Sequence, residues 1–335
     1  MNRVLIAGIC VAAVACGGSS SPSSPTSAEV PRLIQGQTVS AIDGNAAGQV
    51  SVQLANRSAI QTDADGNFQI DVATPGTFSV ILTGTGVVER RTSLKAPAPD
   101  RTRVSLIPAD FDLAAFDEMA RGNQGRLQRW TLRPALVIVG TVMKFTPDRT
   151  ERYEAMVERM SNDEITGLTN HLNEGLALLT GGTFPSFASV KVEWPAAGEQ
   201  VAVQRSGTIV VGRYSGIEAM TQAIGLGNWA EQADGSVAGG TIWLDRDFER
   251  NEGPRRLVRI HELGHALGYN HVTVRPSVMN PALGPAPNEF DRAAALIAFQ
   301  RPVGNTSPDT DPGAGFGTST FVVTDGPLKW SPPVR

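Results

Sequence analysis

Three of the four histidines in this 335-residue chain fall at His261, His265 and His271, and their spacing dictates the local backbone. His261 and His265 are four residues apart, about 400° of helical rotation, so a helix sets both imidazoles on one face, one turn apart. Pro254 suits a first helical turn, and Leu257, Val258, Ile260 and Leu263 give that helix an apolar side. Gly268 can adopt the positive φ of a helix C-cap, so the chain turns there and His271 can return to the same point. Imidazoles placed in this way reach one zinc ion at about 2.0–2.1 Å. Glu262 is offset by about 100° and lies beside the metal rather than on it, where a base for a water molecule belongs.

Composition narrows the alternatives. Both cysteines, Cys10 and Cys16, lie in the first sixteen positions, which excludes a disulfide framework, a four-cysteine zinc site and a thiol nucleophile in the body of the chain. At 41% hydrophobic and 19% charged residues the chain is no disordered polyelectrolyte. The net charge of −4 comes without a basic stripe, so no nucleic-acid partner is expected.

Residues 1–16 carry Arg3 and then an apolar run over 4–15, too short for a helix across a bilayer core of about 30 Å. They read as a signal peptide. Its end, Ala13-Val14-Ala15-Cys16, resembles a bacterial lipobox. That resemblance implies lipidation of Cys16 and an exported protein anchored to a membrane, facing the periplasm or the cell exterior. An ordinary secretory signal with Cys16 incidental is the alternative. Residues 17–32 are small, polar and proline-bearing, as suits a flexible tether.

Over 33–108, short β-branched or alternating runs at 35–39, 49–54, 68–72, 77–83 and 103–107 are divided by turn residues such as Asp65-Gly66-Asn67. The pattern predicts a small antiparallel all-β sandwich. The string at 62–86 resembles the transthyretin-like, regulatory-like domain found beside carboxypeptidases. Asp63, Asp65 and Gly66 read as a hairpin turn, because a calcium loop needs a Glu at its twelfth position and residue 74 is Thr. Structural Ca²⁺ has no motif here.

A connector at 109–128 leads to a second domain at 129–301. Strands are expected at 135–139, 190–194, 208–212 and 240–245. A long helix is expected over about 148–179, with Ile165, Leu168, Leu172, Leu176 and Leu179 on one face, and an amphipathic helix over 289–300. The class is α+β, helices packed on a twisted sheet. His171 reads as a packing or solvated residue, Asp245 and Asp247 as acids that solvate a loop, and Trp194 and Trp243 as core. Residues 302–335 form a Gly/Pro-rich tail, expected to be loosely ordered, with one β-like patch at 320–323.

The segment from His261 to His271 reads His-Glu-x-x-His-x-x-Gly-x-x-His, which resembles the extended zinc motif of the metzincin metallopeptidases. HELGHALGYNH is similar to the matrixin-like subgroup, and Ser277-Val278-Met279-Asn280 stands where that family places its Met-turn. The resemblance implies a mostly parallel sheet with a long helix and an active-site helix. It also implies one catalytic Zn²⁺ on His261, His265 and His271, Glu262 as general base, and Met279 as packing support beneath the metal. A peptide or protein substrate would pair with a rim strand, expected at 240–245. Asn280 stands where many relatives carry Tyr, and Val272 where several carry Ser or Asp. With no cysteine after position 16, a cysteine-switch latency is excluded. The alternative from another class is a cell-surface binding or adhesion protein that uses the zinc domain as a scaffold.

Overall fold

The computed structural model describes residues 32–98, 100–148, 150–250, 253–314 and 328–334. Cys16 with its lipobox, all of the expected tether at 17–32 except residue 32, and the patch at 320–323 lie outside the described residues.

The first seven strands are β1 (Leu33–Ser40), β2 (Ser51–Leu54), β3 (Ile60–Gln61), β4 (Asn67–Asp71), β5 (Gly76–Gly84), β6 (Val87–Ala96) and β7 (Thr102–Leu106). They form a three-stranded sheet, β4-β1-β7, and a four-stranded one, β3-β2-β5-β6. Ile34, Phe68 and Val104 of the first meet Val52, Leu82 and Leu94 of the second in one apolar cluster. Pairing is antiparallel except between β1 and β7, which run parallel, where an all-antiparallel arrangement is expected from sequence. No run in the sequence pattern marks β6, because its inward positions include Arg90 and Thr92 as well as Leu94 and Ala96.

The connector is itself folded. Asp112 caps α1 (Leu113–Phe116), and helical turns continue through Gln124, burying Phe116, Met119 and Ala120. The chain then builds β8 (Arg129–Trp130), β9 (Ala135–Lys144), β10 (Arg152–Arg159), α2 (Asn162–Leu179), β11 (Val190–Glu193), β12 (Gln200–Ala202), β13 (Thr208–Ser215), α3 (Ile217–Thr221), β14 (Gly225–Glu231), β15 (Ser236–Asp245), α4 (Arg255–Ala266), α5 (Glu289–Gln300) and β16 (Lys329–Trp330).

The long helix and the large sheet both depart from expectation. The helix expected over 148–179 begins only at Asn162, because β10 precedes it, with Tyr153 and Ala155 buried and Arg152, Glu154, Val157 and Arg159 exposed. A period of two wins there, and a capping box restarts the chain as a helix. The Ser161 side chain accepts from Glu164 N at 3.2 Å while Glu164 accepts from Ser161 N at 2.7 Å. The large sheet, ordered β12-β10-β9-β13-β15-β14-β16 with β11 on β9 and β8 on β15, is mixed rather than mostly parallel. Its parallel pairs are β9–β13, β13–β15, β9–β11 and β8–β15, and the others are antiparallel.

One face of this mixed α/β layer carries α2 and α4. Leu168, Leu172 and Leu176 of α2 and Ile260 and Leu263 of α4 pack on Ile138, Ile209 and Ile242, and each such buried side chain contributes roughly 1.5–3 kcal/mol. The other face holds Val139, Val210, Tyr153, Tyr214 and Trp243. Strands covered on both faces read as continuous apolar runs, which is why β9, β13 and β15 are visible in the sequence. Trp243 is core as expected, whereas Trp194 is 42% exposed, its ring lying against Gly140. Residues 302–314 are not loose: Asp309 and Asp311 are buried and accept from Arg301 and Arg90, and the buried Asn305 donates to both acids.

Candidate metal centre

The site begins with the end of α4. The helix closes in a Schellman arrangement: Tyr269 N donates to Gly264 O at 3.0 Å and Gly268 N to His265 O at 2.9 Å. Gly268 sits at φ +102°, a conformation that disfavours a side chain. The chain reverses there and brings His271 back, so the three imidazoles gather. His265 Nε2 lies 3.1 Å from His261 Nε2 and 3.2 Å from His271 Nε2.

That geometry has a chemical meaning. His261 Nδ1 is 2.7 Å from the Val278 carbonyl and His265 Nδ1 is 2.8 Å from the Tyr269 carbonyl. Carbonyls only accept, so each Nδ1 carries the proton and each Nε2 of these two rings presents a lone pair. Lone pairs this close repel unless a cation lies between them, and ligands about 2.0–2.1 Å from a tetrahedral Zn²⁺ are separated by about 3.4 Å. The residues fit the metal.

Burial keeps the ring set neutral. It pushes His261 down to about 4, against the opposing pull of the Val278 carbonyl. It pushes His265 well below its ordinary value, with the neighbouring imidazoles adding to the effect, and it lowers His271 as well. Glu262 is 4% exposed. Burial drives its carboxyl well above the usual range, and its Oε2 has no hydrogen-bond partner. A dication at the triad opposes that upward shift.

The loop at 277–280 is braced from α5. Asp291 is fully buried and accepts from Ser277 Oγ at 2.5 Å, Val278 N at 3.1 Å and Asn288 N at 2.9 Å. It thereby fixes Val278, the residue whose carbonyl holds His261. Met279 lies directly under α4, since a β-carbon on Gly264 would come within 2.3 Å of its sulfur. Asn280 ties the turn together, donating to Val272 O and Arg275 O at 2.7 and 2.9 Å. α4 is also anchored from its other side. Arg259, 1% exposed, donates to Glu249 Oε1 at 3.0 Å, and its Nη1 lies 3.1 Å from His171 Nδ1.

Neither Asp291 nor the Arg259–Glu249 pair is singled out in the sequence reading. The Asn288-x-x-Asp291 capping box is a local signal that could have found the first, whereas nothing local marks the second. Asp245 differs from its expected role. It is buried, accepting from Asp247 N, Phe248 N and Glu218 N at 2.9, 3.0 and 3.1 Å, while Asp247 pairs with Arg246.

A cavity of about 340 Å³ opens beside His261 and Glu262, walled by Ile224, Gly225, Val258 and Leu283. Its strand wall is the start of β14, packed so closely on α4 that a β-carbon on Gly225 would fall 2.6 Å from Glu262 Oε1. The rim strand expected at 240–245 is not a rim. β15 has β13 on one side and β14 on the other, so both its edges are already paired.

The family model for matrixin matches residues 215–293, a span that runs from the end of β13 into α5 and carries all three histidines. This match and the three-histidine cluster fit a metzincin-like zinc peptidase. No curated protein matches the chain.

Proposed function

We propose that the chain is a zinc-dependent endopeptidase that cleaves extended peptides at the cavity between β14 and α4. One observation carries the reading: lone pairs of the half-buried His261 and the buried His265 converge 3.1 Å apart, beside a third imidazole and next to a buried carboxylate with an unpartnered oxygen. His261, His265 and His271 hold the metal. When bound, zinc supplies Lewis acidity, polarising a carbonyl and lowering the pKa of water. Glu262 takes the proton of the attacking water at its free oxygen and delivers it to the departing amine. Met279 supports the triad by packing, and Asp291 accepts from the N–H of Val278, the residue whose carbonyl orients His261.

The pairing edge for substrate is β14 in place of β15, and the cavity lined by Ile224, Val258 and Leu283 takes an apolar side chain. Lipidation at Cys16 and export complete the reading, with the sheets of 33–106 acting as a sandwich that spaces the peptidase from a membrane. Changing Glu262 to Gln tests the mechanism. The variant is expected to bind stoichiometric zinc while peptide hydrolysis falls by about 10²- to 10⁴-fold, the usual worth of a positioned acid–base group. Unchanged hydrolysis overturns the role of Glu262. A zinc-loaded native protein that cleaves nothing in a mixed-peptide library favours the adhesion scaffold instead.

A further inference from the structure

The outer edge of β14 is not bare. Residues 329–334 lie along it antiparallel, with Lys329 opposite Glu231 and Trp330 opposite Ala230, and a bridge joins Val334 to Gly227. Ser331 N donates to Trp229 O at 2.8 Å, and the Ser331 hydroxyl accepts from Trp229 N at 3.1 Å. Val334 and Gly227 exchange both backbone bonds, at 2.8 and 3.4 Å. Asn228 Nδ2 donates to Ser331 O at 3.2 Å. The Trp330 ring covers Gly239 of β15, and Val334 packs against the main core.

Direction and position matter more than the bonds. β14 starts beside Glu262, and a β-carbon on Gly227 would lie 2.6 Å from His265 Cβ and 3.3 Å from Glu262 Oε2. The antiparallel segment therefore advances toward the triad as it runs from 329 to 334. Strand groups alternate sides with a period of two. The same edge that bonds Ser331 at Trp229 and Val334 at Gly227 thus turns the N–H and C=O of Gly225 outward, one step nearer Glu262. An extended substrate pairing on β14 meets the bonds already taken at Gly227 and Trp229.

We propose that residues 329–334 are a self-blocking strap. They occupy in cis the edge that a peptide substrate must use, and cleavage requires that they leave β14. The proposal rests on the peptidase reading above and adds its regulation. The strap is built to be released: Pro332 and Pro333 offer no N–H, and the named regular pairing covers only Lys329 and Trp330.

A reversible lock tests this in the full chain, with Cys10→Ser and Cys16→Ser so that no other thiol is present. Ala230 and Trp330 face each other between bonded neighbours, the kind of pair whose α-carbons lie about 4.5 Å apart, within the range a disulfide spans. In the Ala230→Cys, Trp330→Cys protein, the oxidised form is expected to keep zinc but cleave peptides at least about tenfold more slowly than the same protein after phosphine reduction. A strap closed more than nine-tenths of the time reduces apparent affinity by that fraction. Equal rates before and after reduction overturn the proposal and leave the peptidase reading intact. A reduced protein that holds zinc yet cleaves nothing overturns both. Ser331→Pro, which deletes the donor to Trp229 O without a new cross-link, is expected to raise kcat/KM above the native value, and an unchanged value counts against the strap.

Discussion

The metal centre and the junction between the first two sheets and residues 302–314 are both buried and both polar, yet they are satisfied in opposite ways. At the junction, Asp309 accepts from Arg301 Nε and Nη2 at 2.7 and 2.8 Å and from Asn305 at 3.0 Å. Asp311 accepts from Arg90, Thr92 and Asn305 at 2.8, 2.7 and 2.8 Å. At the metal centre the outward atoms are braced, with two Nδ1 groups on carbonyls and Asp291 on three donors, while the inward Nε2 atoms of His261 and His265 face each other without a proton. A buried acceptor left unpaired costs stability, so the centre keeps a disfavoured arrangement that a cation relieves. At the junction every carboxylate oxygen of Asp309 and Asp311 already has a donor. The difference separates a polar cluster that holds a fold together from one that waits for a ligand.

The sharpest way to break the comparison is to unpair the junction. Asp309→Ala leaves the Arg301 guanidinium, which burial already pushes below its ordinary value, without its main counter-charge. Losing one partner of a buried pair typically costs about 3–5 kcal/mol. Urea unfolding is expected to show a loss of that size, while the zinc stoichiometry and kcat of the folded fraction stay native. A fall in kcat with stability unchanged would make the junction part of the active machinery.

Bracing at the metal centre is tested next. Asp291→Asn keeps the shape but replaces one acceptor oxygen by a donor, facing either Ser277 or Val278 N. The Val278 carbonyl then loses its fixed position, and second-sphere losses of this kind weaken metal binding by about 10–100-fold, or 1.4–2.8 kcal/mol. Competition with a chelator of known affinity reads the change. Unaltered zinc affinity would mean that the turn holds His261 without Asp291.

The same contrast explains what could be read from the chain. His261, Glu262, His265, Gly268 and His271 fall within one helix and one turn, and Met279 follows shortly after, so spacing alone brings them together. The apolar runs of β9, β13 and β15 are equally legible because both faces of those strands are covered. What escapes is non-local. Arg90 and Thr92 point inward only because residues over two hundred positions away supply Asp309 and Asp311, so β6 has no apolar signature. Arg259 reads as a surface residue until Glu249 is seen beneath it. The stretch at 152–159 sits next to a strong helix and loses its period-two signal to it. The strap on β14 is short, proline-bearing and set in a Gly/Pro-rich tail, and strand addition of that kind leaves almost no pattern.

The smallest effect calibrates the scale, because it comes from an ion pair that is neither buried nor poised for a ligand. Arg205 donates to both oxygens of Glu193, at 3.0 and 2.8 Å. Those hydrogen bonds outweigh partial burial and, with help from Lys191, hold the Glu193 carboxyl down to about 2. A carboxyl depressed on folding adds stability that is fully present above its unfolded value near 4.3 and disappears as the pH falls through about 2. Solvent screens the pair, so Glu193→Gln is expected to cost only about 0.5 kcal/mol at pH 7. Denaturation of native and variant protein should differ by that amount near neutrality and converge as the pH approaches 2. A gap that persists at pH 2 would show that Glu193 acts through packing rather than charge, whereas convergence places this half-buried pair well below the junction's buried one.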